Sequence, residues 1–334
     1  MISFLSRRPG MWSLLAVIVI LSGLAKVYMA ENFYQERQTR FMMGTYVTVT
    51  ASGRQDVVTA AVGAALGRMQ QVAVKFSARD PRSPVYAFNH EGRPLADQEV
   101  VALVRRGLEI SQASGGAFDM TVGPLSELWG FYSQGLQLPE EKEIRAVLQR
   151  VGFRHLLIKD GVLTKDRADV RIDLGGIAKG YALAEAVKVL RMFGVASAMV
   201  DAGGDVYALG KKGLRSWNIG IRHPRGKGVA GYVSVADTAV MGAGDYERFF
   251  IKDGRRYHHI FDPSTGHPTE GVASVTLIHD DPVAAQAWGK IPFVLGPEKG
   301  LAMLARIPGM DVIIILPSGE RLYSEGARRL LTEK

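Results

Sequence analysis

The segment RIDLGGIAKGYALAEAV (Arg171 to Val187) constrains the fold of this 334-residue chain more than any other. Apolar residues before Gly175 and Gly176 predict a strand that ends in glycines, and the alanine-rich run after Lys179 predicts a helix. Glycines let a ligand approach the backbone, and amides at a helix N-terminus attract anions, so the segment suits a phosphate or pyrophosphate. Lys179 would add a counter-charge and Asp173 a hydrogen-bond acceptor. The spacing matches neither the Rossmann fingerprint nor a P-loop, and a plain glycine turn with a solvated lysine explains it equally well.

The composition argues against a nucleic-acid partner and against cysteine chemistry. The formal net charge is +8, but the basic residues are scattered along the chain, so we attribute the charge mainly to solubility, with some affinity for an anionic membrane or ligand. We therefore expect no nucleic-acid partner. The chain has no cysteine, which excludes disulfides, thiol nucleophiles and thiolate metal sites.

The amino terminus has the layout of an export segment. Paired arginines at Arg7 and Arg8 precede an apolar run from Met11 to Ala25, which is followed by a lysine. The run is short of the roughly 20 residues of a comfortable membrane span, so residues 1–30 are predicted as a signal peptide or an uncleaved anchor. The sequence therefore predicts a periplasmic, extracytoplasmic protein associated with the membrane through its N-terminus.

The remaining pattern mixes helices and strands without strict alternation. Residues 31–40 are predicted as a polar linker and 41–332 as one α+β domain. A strand is predicted at 42–51, a loop at 76–89, and a strand at 311–316. The predicted helices cover 57–74, 99–114, 139–151, 181–193, 283–295 and 300–306.

Three other glycine loops place a titratable side chain at a turn. GGAFDMTVGPLSELWGF (Gly115 to Phe131) holds Asp119 after paired glycines, and DAGGDV (Asp201 to Val206) has a similar pattern. In HHIFDPSTGHP (His258 to Pro268), His259 precedes a tight turn, where an imidazole could act as a general base. Each also has a structural explanation, because an acid can cap a turn and a lone histidine is more often structural. Together the loops favour a phosphate-bearing ligand that is contacted at several points.

These loops, in their order along the chain, resemble the ApbE family, the FAD:protein FMN transferases. The segment MMGTYVTV is similar to the family's first strand, and Ser77, Ser83 and Asn89 repeat its S-x5-S-x5-N loop. The family motifs D-x-T-V-G-P-L-x-x-L-W-G-F, D-L-G-G-I-A-K-G-Y-A and H-I-x-D-P-x-T-G-x-P match the three long loops quoted above. The resemblance covers nearly the whole chain after residue 40.

The resemblance implies a T-fold-like α+β domain that binds FAD between two halves. The family splits the FAD pyrophosphate and attaches FMN through a phosphoester to a threonine or serine of an exported or membrane redox flavoprotein, releasing AMP. The acceptor is expected in a membrane electron-transfer complex. His259 is the expected base or phosphate-holding group, with Lys179 as the second catalytic residue. The expected FAD contacts are Met43, Ala117, Phe118, Asp119, Asp173, Lys179 and Ile260.

The chain departs from its family at the magnesium site. The resemblance implies that Mg²⁺ is held by a carboxylate and a threonine four residues apart, just before F-V-L-G. Aligned through PFVLG, these positions are Gln286 and Lys290, and two further oxygen-donor positions of family members are Gly176 and Gly289. Mg²⁺ prefers hard oxygen ligands, so the sequence predicts no metal held by these four positions.

Several hypotheses explain the substitutions. Lys290 could supply a tethered cation, so that FAD is still bound and cleaved at a rate lowered about 10²–10³-fold. Alternatively, the protein binds FAD without transfer, as a carrier or maturation factor, or hydrolyses FAD as a pyrophosphatase. The structural alternative is a solvated helix edge that carries Gln286 and Lys290 by accident.

Overall fold

The computed structural model describes Leu14 and residues 16–23, 34–132 and 135–333. Within the predicted signal or anchor segment, Leu14 and residues 16–23 are helical with exposed side chains. The rest of that segment and residues 31–33 of the predicted linker lie outside the described residues.

An antiparallel sheet of eight strands forms the centre of the molecule. Its strands are β1 (Tyr34–Met42), β2 (Thr45–Gly53), β5 (Ser197–Ala202), β6 (Asp205–Leu209), β9 (Thr238–Gly244), β12 (Ser274–His279), β13 (Asp311–Ile315) and β14 (Arg321–Tyr323). They lie in the order β1-β2-β5-β6-β9-β12-β13-β14, and every neighbouring pair is antiparallel. Together with its helices, this sheet confirms the predicted α+β class.

Smaller sheets and helices surround the central sheet. Strands β3 (Leu156–Lys159) and β4 (Val162–Lys165) pair, as do β10 (Phe249–Lys252) and β11 (Arg255–His258), and β8 (Val229–Val235) lies between β7 (Trp217–Arg222) and β15 (Leu331–Glu333). The helices are α1 (Gln55–Lys75), α2 (Pro84–His90), α3 (Gln98–Ala113), α4 (Gly123–Leu128), α5 (Glu141–Leu148), α6 (Ala178–Met192), α7 (Pro282–Trp288), α8 (Ile291–Leu295), α9 (Pro297–Leu304) and α10 (Glu325–Leu330). A 3₁₀ turn covers Phe153–His155.

Helix α1 packs into the core against β1, β2 and α6. Its buried residues recur at helical spacing, among them Val58, Val62, Leu66 and Met69. Of the residues that the structure describes, only this helix is long and apolar enough to cross a membrane by length and composition. Its apolar face is covered by the core cluster, which accounts for that composition.

Two predicted boundaries differ from the structure at loops. Residues 34–40, predicted as linker, belong to β1, which pairs with β2 along its whole length. This edge strand alternates half-buried and exposed side chains, so its composition is as polar as that of a linker. The predicted loop 76–89 contains α2, because Pro84 occupies the first helical turn and the Ser83 hydroxyl accepts a hydrogen bond from the Val85 N–H at 3.0 Å.

The strand predicted before the glycines of Arg171–Val187 is wrong. The segment pairs with no strand, because the Asn89 side chain bonds to the backbone of Ile172 and the Met120 carbonyl accepts from the Asp173 N–H at 2.7 Å. Its Nδ2 donates to the Ile172 carbonyl and its Oδ1 accepts from the Ile172 N–H, both at 2.8 Å. The buried backbone of Ile172 is thus satisfied by an amide side chain in place of a sheet ladder.

The single helix predicted at 283–295 is two helices, α7 and α8. Pro292 lies in the first turn of α8 and has no N–H to bond to the Trp288 carbonyl, so the helix cannot continue. Gly289 ends α7, and Lys290 stands at the N-cap of α8. The break therefore places Lys290 at a corner, not on a continuous helix face.

Candidate active site

The glycine turn before α6 is fixed from several sides. Asp173 Oδ1 accepts from the Gly175 N–H at 2.7 Å. A Cβ on Gly176 would lie 3.1 Å from the Phe118 ring, so this ring packs directly against the turn. Burial raises the pKa of Asp173, while the nearby Arg79 and Arg248 oppose the shift. The structure thus brings together Asp173 and Phe118, two predicted FAD contacts, and Gly176, one of the substituted metal positions.

Lys179, in the first turn of α6, forms an ion pair with Asp205 at the start of β6. Asp205 is 3% exposed, and its other oxygen accepts from the Gly242 N–H at 2.9 Å. The carboxylate therefore fixes the position of the Lys179 ammonium. The sequence marks Asp205 only as part of a glycine corner, because its partner is 26 residues away in the chain.

Gln286 connects α7 to the glycine turn and to α6. Its Oε1 accepts from the Gly180 N–H at 2.8 Å, and its Nε2 donates to the Gly175 carbonyl at 3.0 Å. The side chain is 4% exposed. The helices meet closely here, since a Cβ on Gly180 would lie 2.2 Å from the Pro282 carbonyl oxygen. Gln286 is therefore a buried bridge, and the hypothesis of a solvated helix edge is wrong for this residue.

The Lys290 side chain is half-buried beside the Lys179–Asp205 pair. Among the residues that the structure describes, its ammonium forms no hydrogen bond or ion pair. Burial lowers the pKa of Lys290 to about 8; Asp205 and Glu247 favour the charged form and Lys179 disfavours it. The Lys290 ammonium thus lies near His259 and the Lys179–Asp205 pair without a hydrogen-bonded counter-ion of its own among the described residues.

His259 differs from its neighbour His258 in what its ring nitrogens do. His258 is 2% exposed, and its Nε2 bonds to the Thr269 carbonyl at 2.6 Å, which is a structural role. The Nδ1 of His259 lies 3.4 Å from the Arg248 carbonyl, which leaves Nε2 as a proton acceptor. Burial, and then the charge of Lys290, lower the pKa of His259 to about 3. The imidazole is therefore neutral at physiological pH.

The turn between β1 and β2 lies beside Arg248. Met43 has a positive φ of 52°, and a Cβ on Gly44 would lie 3.5 Å from the Arg248 guanidinium. Because the Arg248 carbonyl also accepts the His259 N–H at 3.1 Å, the turn is close to His259. Arg248 was not predicted as a site residue. Its sequence signal is its place in AGDYERFF (Ala243 to Phe250), a further segment that resembles the ApbE family.

Three predicted FAD contacts are largely buried. Ala117 and Ile260 are each 5% exposed and belong to the main core cluster. Asp119 Oδ1 accepts from the Thr121 N–H and hydroxyl at 2.7 and 2.6 Å, and Oδ2 accepts from the Phe153 N–H at 2.8 Å. Burial raises the pKa of this carboxyl. Asp119 therefore holds its own loop, and its contact with FAD stays a prediction.

Known proteins resemble this chain in both sequence and fold. The model of the ApbE family matches residues 43–314. The FAD:protein FMN transferase of Treponema pallidum (strain Nichols) is 33% identical to this chain in an alignment of 339 residues, gaps included, that covers 94% of each chain. The chain belongs to the ApbE family. The ApbE protein of Thermotoga maritima MSB8 superposes with a TM-score of 0.83 at 37% identity, over 90% of this chain and all of that one. The apo flavinyl transferase ApbE of Pseudomonas stutzeri gives 0.79 at 32% identity, over 90% of this chain and 97% of that one.

In this ApbE chain the four predicted metal positions do not suit Mg²⁺. The amide oxygen and nitrogen of Gln286 are both hydrogen-bonded to backbone groups, and the Lys290 side chain carries a positive charge. Gly176 and Gly289 have no side-chain oxygen. Within the described ranges, no group of three or more His, Asp or Glu side chains could hold a metal ion. The donor set thus lacks the carboxylates that Mg²⁺ prefers.

Proposed function

We propose that this chain is an FAD:protein FMN transferase, which cleaves FAD and attaches FMN to a hydroxyl of an acceptor flavoprotein. One observation carries the proposal: a glycine turn, the ammonium groups of Lys179 and Lys290, and the neutral imidazole of His259 lie within one site. The relative from Treponema pallidum that spans almost the same length bears this name, which supports the same activity here.

The reaction forms one bond to phosphorus and breaks one. The hydroxyl oxygen of an acceptor threonine or serine attacks the phosphorus that carries the riboflavin. The bond from this phosphorus to the bridging oxygen of the pyrophosphate breaks, AMP leaves with that oxygen, and FMN stays on the acceptor as a phosphoester. The hydroxyl proton passes to Nε2 of His259, the ring nitrogen that the contact with the Arg248 carbonyl leaves free.

The groups around the glycine turn stabilise the negative charge of the pyrophosphate. The pyrophosphate is anionic, and positive groups fixed in advance stabilise the charge that develops during phosphoryl transfer. Asp205 holds the Lys179 ammonium in place, and the first amides of α6 add partial positive charge. Asp173 keeps the turn closed through the Gly175 N–H.

The proposed place of action is outside the cytoplasm, with the N-terminal segment in the membrane. The apolar run from Met11 to Ala25 behind paired arginines supports this location. The acceptor is then an exported or membrane redox flavoprotein, such as a subunit of a membrane electron-transfer complex. Fusion of residues 1–40 to a reporter that is active only outside the cytoplasm tests the location, and an inactive reporter would contradict it.

Flavin that remains on the acceptor after denaturation tests the activity. The full chain, purified in detergent, is incubated with FAD and a flavoprotein domain that carries an acceptor threonine, and the gel is viewed by flavin fluorescence. We expect a fluorescent acceptor band, and no band when the acceptor threonine is alanine or when the enzyme carries His259→Ala. Bound FAD without a labelled acceptor would indicate a flavin carrier, and AMP release without labelling a pyrophosphatase; either result overturns the proposal.

A further inference from the structure

Resting on the transferase function proposed above, we propose that this site needs no divalent cation, because the Gln286 amide and the Lys290 ammonium take the two roles of the metal. One role is to hold the glycine turn in the shape that receives the pyrophosphate. The other is to place positive charge beside it. Gln286 takes the first role and Lys290 the second, and at both positions this chain departs from the family pattern.

The amide of Gln286 performs the first role. It joins the carbonyl before Gly176 to the N–H of Gly180 across the start of α6. Only one orientation of the amide satisfies both partners, because the N–H requires an acceptor and the carbonyl requires a donor. The turn and the helix are therefore held in one arrangement by the protein alone.

A carboxylate at position 286 could not make the same bridge. It could still accept from the Gly180 N–H, but it would face the Gly175 carbonyl with a second acceptor. Two oxygens that face each other in a buried site require a proton or a cation between them. An acid at this position therefore calls for a metal, and glutamine removes that need by donating a hydrogen bond itself.

The ammonium of Lys290 performs the second role. Among the described residues it forms no hydrogen bond or ion pair of its own, unlike the nearby Lys179, which Asp205 holds. The Asp205 carboxylate attracts Lys290 as well, but its two oxygens are engaged by Lys179 and the Gly242 N–H. The Lys290 charge is thus available to an anionic ligand, and a pyrophosphate supplies the oxygens that would pair with it.

The test compares FAD binding in EDTA and in excess Mg²⁺, measured by flavin fluorescence on the full chain. For the wild-type protein we expect dissociation constants that agree within about twofold. The double variant Gln286→Asp/Lys290→Thr recreates the carboxylate and threonine of the family pattern. In EDTA we expect it to lose at least about tenfold in FAD affinity and to regain the affinity with Mg²⁺.

Single variants separate the two roles and keep the test decisive if the double variant does not fold. Lys290→Met should lower FAD affinity about tenfold or more without rescue by Mg²⁺. The exposed Lys299→Met on α9 is the matched control and should bind like wild type. Gln286→Glu should gain thermal stability on addition of Mg²⁺, whereas wild type should not.

The proposal is overturned if wild-type affinity collapses in EDTA, or if Lys290→Met binds FAD as wild type does. These readouts are independent of transfer. Suppose that no acceptor is labelled in any buffer, while the FAD affinity is unchanged by EDTA and is lowered by Lys290→Met. The transferase function is then wrong, and the metal-free FAD site stands. If labelling occurs only with Mg²⁺, the function stands and the metal-free site fails.

Discussion

Burial lowers the pKa of the Lys290 ammonium to about 8, although Asp205 and Glu247 favour its charged form and Lys179 opposes it. Below this pKa the side chain is charged and attracts the FAD pyrophosphate; above it the attraction is lost. FAD affinity should therefore fall as the pH rises through about 8, by up to about tenfold per pH unit. The measurement is a pH titration of the FAD dissociation constant.

Lys290→Met separates this effect from other alkaline titrations. The variant should bind FAD weakly at neutral pH and lack the component of the alkaline decline that Lys290 causes. An equally steep decline in the variant would assign the titration to another group. The exposed Lys299→Met should keep the wild-type profile.

His259 should act in the chemical step and not in FAD binding. His259→Gln should lower the transfer rate by about 10²–10⁴-fold while the FAD dissociation constant changes little. Because the pKa of His259 is about 3, the imidazole is already neutral above that pH. The wild-type kcat/KM for FAD should therefore show no inflection from this residue between about pH 5 and about pH 7. An equal loss of affinity and rate in the variant would show that His259 holds the phosphate instead.

Helices α6 and α7 meet at Gly180, where any side chain would strike the Pro282 carbonyl oxygen. Gly180→Ala should force the helices apart, break the Gln286 bridge and lower the free energy of unfolding by about 1–3 kcal/mol or more. Gly67→Ala in α1 is the control, since nothing lies within 4 Å of its Cβ. This change should raise stability by about 0.5–1 kcal/mol, because alanine favours helix over glycine. Urea denaturation measures both, and similar effects at the two sites would contradict the close helix contact.

The segment before the glycine turn depends on α2. Asn89→Ala removes both hydrogen bonds to the buried backbone of Ile172 and should lower the free energy of unfolding by about 1–3 kcal/mol for each group left unpaired. It should also weaken FAD binding, because Asp173 follows directly. Asn218→Ala, at an exposed position of β7, should change stability by less than about 0.5 kcal/mol. Urea denaturation and FAD titration of both variants test this.

Local pattern predicted the long elements well and the connecting ones poorly. Helices α1, α3 and α6 follow from apolar spacing, because each buries one face against the core. The strand predicted around Ile172 does not form, since the partner of its backbone is an amide 83 residues away. Such a distant pairing leaves no periodic signal in the sequence.

At the scale of the whole molecule, the sequence motifs predicted the members of the candidate site but not the hydrogen bonds and ion pairs that hold them. His259, Lys179, Gln286 and Lys290 stand at motif positions, and the structure brings them into one site. The partner of Lys179 was not predicted, because Asp205 reaches it only when α6 packs against β6. The bridging role of Gln286 was equally hidden, since both of its partners are backbone atoms.

Two adjacent histidines, His258 buried and His259 partly buried, make the stability of the whole fold sensitive to acid. Burial lowers the pKa of both His258 and His259 below the ordinary value of about 6.5, which each regains in the unfolded chain. Below about pH 6.5 the unfolded state therefore binds more protons than the folded state. The stabilisation is fully present above that pH and is lost as the pH falls toward about 3, at up to about 1.4 kcal/mol per pH unit for each histidine.

The raised pKa values of Asp119 and Asp173 act in the opposite direction, because protonation of these buried carboxyls favours the folded state as the pH falls. The difference between wild type and His259→Gln removes that common contribution. We expect the variant to lose less stability than wild type between about pH 6.5 and about pH 4 in urea denaturation. His90→Gln, at an exposed position, should follow the wild-type curve. Parallel curves for wild type and His259→Gln would mean that this imidazole is not held neutral by the fold.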